Sequence, residues 1–387
     1  MNPAILLERL DEAVARGVLT AGQAHRVALA AELDRTLALA GGSSLGAALS
    51  GEMLGRALGL SRAAVHKHVE HLRSLGFAID SVAGAGYRLT RPHDDLVVPE
   101  AVLPFLLELV GPQERWVAGL PYRYLERCGS TNAALKSSAA SSPAGTLVVS
   151  DGQIEGRGRL GRTWVSEPGK DLTFSVLLRP ELAPAQAHLL SLAAAVAVAE
   201  VLEGIPGLPV RVGIKWPNDV LLDDKKVCGI LLEGSMDADR LQWAIAGIGL
   251  NVNSDPSALM RGMTPGEEQQ WAGRPRPASL RGYLGDGVPR APLLASLLAS
   301  LTHLWTRFDP ASVLEDVRRR DVLRGRPVEV LAGPPRNELV IAGEALGVGP
   351  EGQLLVRGPE GETVPVFAGD VTVRGAWGQP PRVVREL

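Results

Sequence analysis

The chain has 387 residues, 45% of them hydrophobic and 21% charged, and a net charge of −3. This is a globular composition with room for two or three domains. It excludes a global positive field that would draw the whole molecule onto nucleic acid or membrane, so any anion-binding surface must be local.

Two cysteines, Cys128 and Cys228, are too few for a disulfide framework. They read as free thiols of a reducing, cytoplasmic compartment. The N-terminus is interrupted by charge too early for a secretory signal core. The longest apolar run, 188–205, contains Glu200 and falls short of the roughly 20 residues that span a bilayer. It reads as a buried core helix, and no membrane partner is expected.

In chain order, residues 1–30 are predicted helical, with Ile5, Leu6, Leu10 and Val14 apolar and Gly17 as a stop. No role attaches to them. A short helix at 51–58, a turn at Gly59–Leu60 and a second helix capped by Ser61 and running to about Leu75 follow. Two β segments, 78–82 and 87–89, flank "AGAG". Helix, turn, helix and glycine-tipped hairpin is the order of a winged helix-turn-helix. Arg91–Pro92 reads as a linker.

From Leu96 onward helices and strands alternate. Strands are predicted at 122–126, 146–150, 172–178, 210–214, 227–233 and 242–251, and helices at 131–138, 184–202, 292–308 and 312–320. Residues 254–291, rich in Pro and Gly, read as a long surface loop. From Leu323 short β segments broken by "AGPP", "GPEGQ" and "GPEGE" fit a small β-barrel, followed by a loose tail.

The chemistry concentrates in the middle. "GRGRLGRTW", 156–164, puts three glycines and three arginines in seven residues. Glycine-rich backbone can turn its N–H groups onto an anion, and Arg157, Arg159 and Arg162 can each grip carboxylate or phosphate with two bonds. Empty, the guanidiniums repel one another; an anionic ligand is expected to order the loop. The Gly-Lys-Ser/Thr ending of a Walker loop is missing, and a solvated basic surface loop is the plain alternative. The chain has only six lysines, and three of them lie within 215–226. In "IKWPNDVLLDDKKVCGILLEG", Lys215 ends an apolar strand, Asn218 and Asp219 suit a turn, and Gly229 marks a close approach of backbone or ligand. Upstream, Ser130 or Thr131 of "CGSTNAAL" can cap a helix whose N-terminus suits a polar group. Gln153, just before the glycine loop, can donate and accept at once. In "AGIGLNVN" two glycines thin a strand end before Asn251, which suits either a turn or an adenine edge.

The order "STN", "Q..GRGR.GR.W", "KWPND", "K..GIL.E", "GIG.N", between a winged helix and a small β domain, resembles the bifunctional biotin protein ligases that also repress the biotin operon. The resemblance covers about residues 33–374. It implies an α+β multidomain protein: a winged helix-turn-helix (33–92), a class II synthetase-like α/β ligase domain with a mixed sheet (96–322) and an SH3-like β-barrel (323–375); the helical extension (1–32) and the tail (376–387) fall outside it. It implies formation of biotinyl-5′-AMP from biotin and ATP with Mg²⁺, then transfer of biotin to a lysine of a carboxylase's biotin carboxyl carrier domain, such as that of acetyl-CoA carboxylase. Two anions meet in the first step, and placed positive charge offsets their repulsion.

Residue by residue, the resemblance puts Ser130, Thr131, Asn132, Gln153, Gly156, Arg157 and Gly229 at biotin. Arg159 retains the adenylate, and Lys215 bridges biotin's carboxylate and the phosphate. Arg162, Trp164, Asn218 and Asn251 join Arg159 at the nucleotide. The metal ligand is unassigned, Asp219 being one candidate. On the winged helix Arg62, His66, Lys67 and Arg88 face DNA, with His68 and Arg73 on or near the same side. The resemblance also implies operator DNA as a partner and a homodimer promoted by biotinyl-AMP. A regulator that only senses biotin, a ligase whose DNA-binding domain no longer represses, and a lipoate-type transferase are the rival readings.

Overall fold

The computed structural model describes residues 3–39, 47–111, 114, 118–237, 240–255, 273–332 and 338–374. They divide into two compact units: Met1–Tyr124 with Gly145–Val149 and Pro289–Thr302, and Leu125–Ala144 with Ser150–Val288 and His303–Leu387.

In the first unit, α1 (Pro3–Ala15) buries Leu6, Leu10 and Ala13, spaced as one helical stripe. Gly17, left-handed at φ 70, turns the chain as its position predicts. The chain then enters α2 (Ala21–Leu39), whose Val27, Leu29 and Leu33 are fully buried. Ser50 and Ser61 cap α3 (Gly51–Leu58) and α4 (Arg62–Ser74), their hydroxyls accepting from the N–H groups of Met53 and Ala64 at 3.0 and 3.2 Å. The turn between them is tight. A Cβ on Gly55 would lie 2.5 Å from the Leu60 carbonyl oxygen, so only glycine fits. Antiparallel β1 (Ile79–Val82) and β2 (Gly86–Leu89) form the wing.

α5 (Pro99–Leu109) follows, and α2 lies against α3, α4, β2 and α5. The extension is therefore part of the winged-helix core. Arg26 of α2 donates to Glu100 of α5 at 2.7 Å, and Glu100 is 1% exposed. Arg26→Met strips a buried carboxylate of its partner and is expected to cost about 3 kcal/mol. Urea unfolding of Arg26→Met and of the double variant with Glu100→Gln checks this, since the double variant should regain part of the loss.

A seven-stranded sheet runs in the order β3-β4-β5-β9-β8-β7-β6; β5 to β9 lie in the second unit, and β3 and β4 begin in the first. Its strands are β3 (Tyr122–Cys128), β4 (Leu147–Gln153), β5 (Leu172–Leu178), β6 (Val212–Lys215), β7 (Asp219–Leu222), β8 (Lys225–Asp237) and β9 (Arg240–Leu250). The sheet is mixed. The bonds Leu147 N–H to Pro121 O and Ile154 N–H to Cys128 O keep a constant offset, so β4 runs parallel to β3. The pairs from β5 through β9, β8 and β7 to β6 are antiparallel.

The β3–β4 crossover carries α6 (Thr131–Lys136), which sets "STN" at a strand end. The segment Pro184–Glu203, a 3₁₀ turn followed by α7 (His188–Glu203), is long and apolar enough to cross a membrane, yet α7 lies against β6–β9 with most of its residues buried. It is the core helix that the sequence indicates. The second unit also holds α8 (Leu280–Leu284) and α10 (Pro310–Arg320), while α9 (Arg290–Thr306) belongs mostly to the first.

The KWPND stretch departs from expectation at Asp219. Asp219 belongs to β7 and pairs in register with Lys215 of β6. Asn218 closes the β6–β7 reversal at 216–218 as expected, its N–H donating to Lys215 O at 3.2 Å. A second reversal, between β7 and β8, falls at Asp223–Asp224, both left-handed with φ 45 and 62. That is the conformation of a two-residue hairpin turn, which Asp tolerates better than most residues.

The expected 254–291 loop contains α8 and the segment 273–279; its residues 256–272 lie outside the described residues, as does the expected tail from 376. The C-terminal strands β10 (Pro327–Ala332), β11 (Glu338–Val348), β12 (Leu354–Arg357), β13 (Thr363–Val366) and β14 (Asp370–Val373) form an antiparallel sheet ordered β13-β12-β11-β10-β14. Trp216, 1% exposed, fastens this sheet to KWPND by donating its indole N–H to Gly352 O at 2.9 Å.

Candidate active site

The glycine-arginine loop folds on itself. Gly158 N–H donates to Arg162 O and Trp164 N–H to Gly156 O, both at 2.8 Å. Between them the chain makes one 3₁₀ turn over Arg159–Gly161, with Leu160 left-handed at φ 57. Gly156 is required by this closure, because a Cβ there would lie 2.3 Å from Trp164 O. The arginines then diverge. Arg159 Nη1 donates to Asn218 Oδ1 at 3.2 Å, tying the loop to KWPND. Arg162 pairs with Asp370 of β14. Arg157 is exposed.

Beneath the loop is a cavity of about 210 Å³. Every residue expected at biotin or nucleotide lines it, Gly156 excepted. Gly156 acts through its backbone, behind the wall.

At one end the floor is polar and uncharged. Thr131 N–H donates to Gln153 Oε1 at 2.8 Å, which leaves the Gln153 amide NH₂ as a donor. Asn132 lines the cavity, but its amide is committed to the scaffold, donating to Glu233 and accepting from Ser175. The wall narrows at two glycines. A Cβ on Gly249 would meet the Trp164 indole at 2.3 Å, and one on Gly229 at 3.0 Å. The Asn251 side chain donates to Ala278 O at 2.9 Å, while its Oδ1 is buried without a partner.

The other end is charged. Asp219 lies between two lysines, 2.6 Å from Lys226 Nζ and 3.9 Å from Lys215 Nζ. Burial would raise the Asp219 pKa, but the charges of Lys226 and Lys215 more than offset that and hold it below its ordinary value. Burial pulls Lys215 down to about 8; Asp219 opposes this, and Lys226, Arg162 and Arg159 add to it. Lys226 is the more available of the two: its side chain is 24% exposed against 5% for Lys215, and Nζ stands 5.6 Å from the Trp164 ring centre. Sequence reasoning missed Lys226, Arg274 and Asp370 as cavity residues and left Asp219 as a turn former or a candidate metal ligand. For Lys226 a signal was present, in the clustering of scarce lysines. The approach of Asp370 from a strand some 150 residues away has no local signal.

On the winged helix, Arg62, His66 and Lys67 are exposed along α4, and His66 Nδ1 lies 3.1 Å from the Tyr87 hydroxyl of the wing. Arg88 is 3.9 Å from Asp80, so its charge is partly countered. Two residues expected near this face serve packing instead. Arg73 donates to Ile79 O at 2.8 Å, bracing the wing, and His68 turns toward His25 of α2, with ring centres 5.9 Å apart.

Comparison with known proteins agrees with this layout. Residues 124–251 match the model of the biotin/lipoate A/B protein ligase family, and residues 45–88 match an HTH domain. The chain is 33% identical over 320 residues to the bifunctional ligase/repressor BirA of Bacillus subtilis, covering 81% of this chain and 90% of that one. It is 32% identical over 330 residues to BirA of Escherichia coli, covering 84% and 93%. The biotin protein ligase of Aquifex aeolicus in complex with biotin and ATP has a similar structure, with a TM-score of 0.52 and 28% identity over 65% of this chain and 98% of that one. With the HTH and ligase parts both matched and two bifunctional relatives aligned over nine-tenths of their length, the chain belongs to the family of bifunctional biotin ligase/repressors.

Proposed function

We propose that this chain activates biotin with ATP and transfers it to a lysine of a biotin carboxyl carrier domain, and that its winged helix binds operator DNA as a repressor. The observation that carries the enzymatic reading is one cavity with a neutral donor-and-acceptor floor at one end and Lys215, Lys226, Arg159 and Arg162 at the other. A ureido ring suits the floor, and a carboxylate meeting a phosphate suits the charged end.

In the first step a biotin carboxylate oxygen bonds to the α-phosphorus of ATP and pyrophosphate leaves. In the second a carrier lysine attacks the acyl carbon and AMP leaves. The enzyme supplies position and charge, and needs no nucleophile. Ser130, Thr131 and Gln153 hold the ureido group, and Gly229 leaves room for the tail. Lys226 meets the carboxylate and α-phosphate, since it is the more accessible lysine, and Lys215 sets the charge of Asp219 behind it. Trp164 and Asn251 hold adenine, the free Asn251 Oδ1 accepting from its amine.

Mg²⁺ enters on the triphosphate. Among the described residues no cluster of three His, Cys, Asp or Glu could hold a metal, and Asp219 offers a single carboxylate already paired with lysine. Among the described residues there is therefore no dedicated metal cage. The finer organisation follows the family: a class II synthetase-like domain at 96–322, an SH3-like barrel at 323–375, a cytoplasmic protein, and a homodimer promoted by biotinyl-AMP.

The test is biotin-dependent exchange of labelled pyrophosphate into ATP, with Mg²⁺ and no carrier. Exchange supports the reading. Exchange with lipoate instead moves the chain to the lipoate branch, and none with either leaves a ligand-sensing regulator. For the DNA face, Lys67→Ala is expected to weaken operator binding and to lower the slope of log affinity against log salt by about 1. Pyrophosphate exchange should be unchanged, and filter binding across salt concentrations checks it.

A further inference from the structure

Behind the cavity floor a chain of hydrogen bonds runs from a carboxylate at the surface to the hydroxyl of Thr131. Glu233 of β8 pairs with Lys136 at 3.1 Å and accepts from Asn132 Nδ2 at 2.9 Å. A carboxylate held in an ion pair only accepts, so it fixes which end of the Asn132 amide is nitrogen. The Leu231 carbonyl, 3.3 Å from the same nitrogen, adds a longer and weaker bond in the same sense, so the charged Glu233 bond sets the orientation. The amide oxygen must then face Ser175, whose Oγ is 2.6 Å away.

Ser175 is 0% exposed and carries one hydroxyl proton. Asn132 Oδ1 can only accept, so that proton goes to it. Ser175 Oγ also lies 2.8 Å from Thr131 Oγ1. With its own proton spent, Ser175 can only accept there, and Thr131 supplies the proton. The alternative for Thr131 is Gln153 Oε1, which is farther at 3.3 Å and already takes the Thr131 N–H. Thr131 Oγ1 is thereby left with lone pairs alone for the cavity.

We infer that Glu233 is a positioning residue: through Asn132 and Ser175 it sets the Thr131 hydroxyl as an acceptor, which selects a ligand presenting an N–H at that spot. This rests on the biotin reading, in which a ureido N–H meets Thr131 beside the Gln153 donor. Freed of the chain, the Thr131 hydroxyl could turn its proton outward and suit a carbonyl equally well. Gly247 belongs to the same device, because a Cβ there would lie 2.1 Å from Asn132 Oδ1 and push the amide out of line.

A double-mutant cycle on the full chain, read by calorimetric titration with biotin, tests the relay. Glu233→Ala removes a half-exposed side chain from a strand and is expected to weaken biotin binding about tenfold, the usual scale for a disrupted buried hydrogen bond. In a Thr131→Val background the same change should cost less than about twofold, since there is no hydroxyl left to orient. Glu233→Gln keeps an acceptor and should bind within about threefold of wild type; Lys136→Met keeps the carboxylate and should do the same. Equal losses from Glu233→Ala in both backgrounds overturn the relay, as does no loss in the wild-type background. Failure of the wild-type chain itself to bind biotin overturns the functional reading instead, so the two failures are distinct.

Discussion

Lys226→Ala is expected to slow biotin-dependent pyrophosphate exchange by about 10²–10³, the scale of removing one placed charge from a developing anionic centre. Lys226 reaches into the cavity beside Trp164 and is held by Asp219 at 2.6 Å. The variant should still bind biotin through the neutral floor, so the loss should fall on turnover more than on biotin affinity. Exchange within about threefold of wild type would remove Lys226 from the mechanism.

Lys215 should respond differently, through pH. Burial lowers its pKa to about 8, so it is charged below that pH and neutral above it. Wild-type exchange should therefore fall as pH rises through about 8, and Lys215→Ala, slower throughout, should lack that limb. Stability of the empty protein should move the other way. Between about 8 and the ordinary lysine value of 10.5 the unfolded chain holds a proton that the folded one has lost, so folding gains with pH in this window. Activity that falls while unfolding resistance rises identifies deprotonation and excludes alkaline denaturation.

Arg159→Gly is the second large effect, and its readout is selectivity. Arg159 is the bond between the glycine-arginine loop and Asn218, on the opposite wall of the cavity. Without it the loop keeps its own closure through Gly156 and Gly158 and the Arg162–Asp370 pair, but loses its tie to KWPND on that wall. The mixed anhydride then meets water and free amines before a carrier arrives. Labelling of bystander proteins in a mixture with carrier should rise at least about tenfold over wild type, the scale of one lost charge-assisted bond. Labelling confined to the carrier lysine would count against this role.

Motif order and helix signals were enough to reach most of this molecule. Ser50, Ser61 and Gly59 punctuate the helix-turn-helix as local chemistry demands, and alternating apolar segments mark the central sheet. What stayed hidden has identifiable causes. Asn218 turns the chain as its chemistry favours, but Asp219 already belongs to β7, which gains its pairing from strands on either side, and a second turn follows at Asp223–Asp224. Ser175 sits in a continuous apolar strand, "LTFSVLL", where nothing local distinguishes a relay hydroxyl from a filler. Arg73 reads as lying on or near the exposed side of its helix, whereas it braces the wing through Ile79 O, a contact with no local signal. Lys226 was passed over because Lys215 carries the more recognisable neighbours.

The embedding of α2 in the winged helix bears on how this regulator can be taken apart. A fragment cut to the familiar helix-turn-helix and wing would remove the helix that α3, α4 and β2 pack against, and would separate Arg26 from Glu100 in whatever chain retained α5. Anyone grafting this reader onto another effector should carry residues 1–109 as one cassette, with the join placed after α5, where the helix ends and the buried pair is already enclosed.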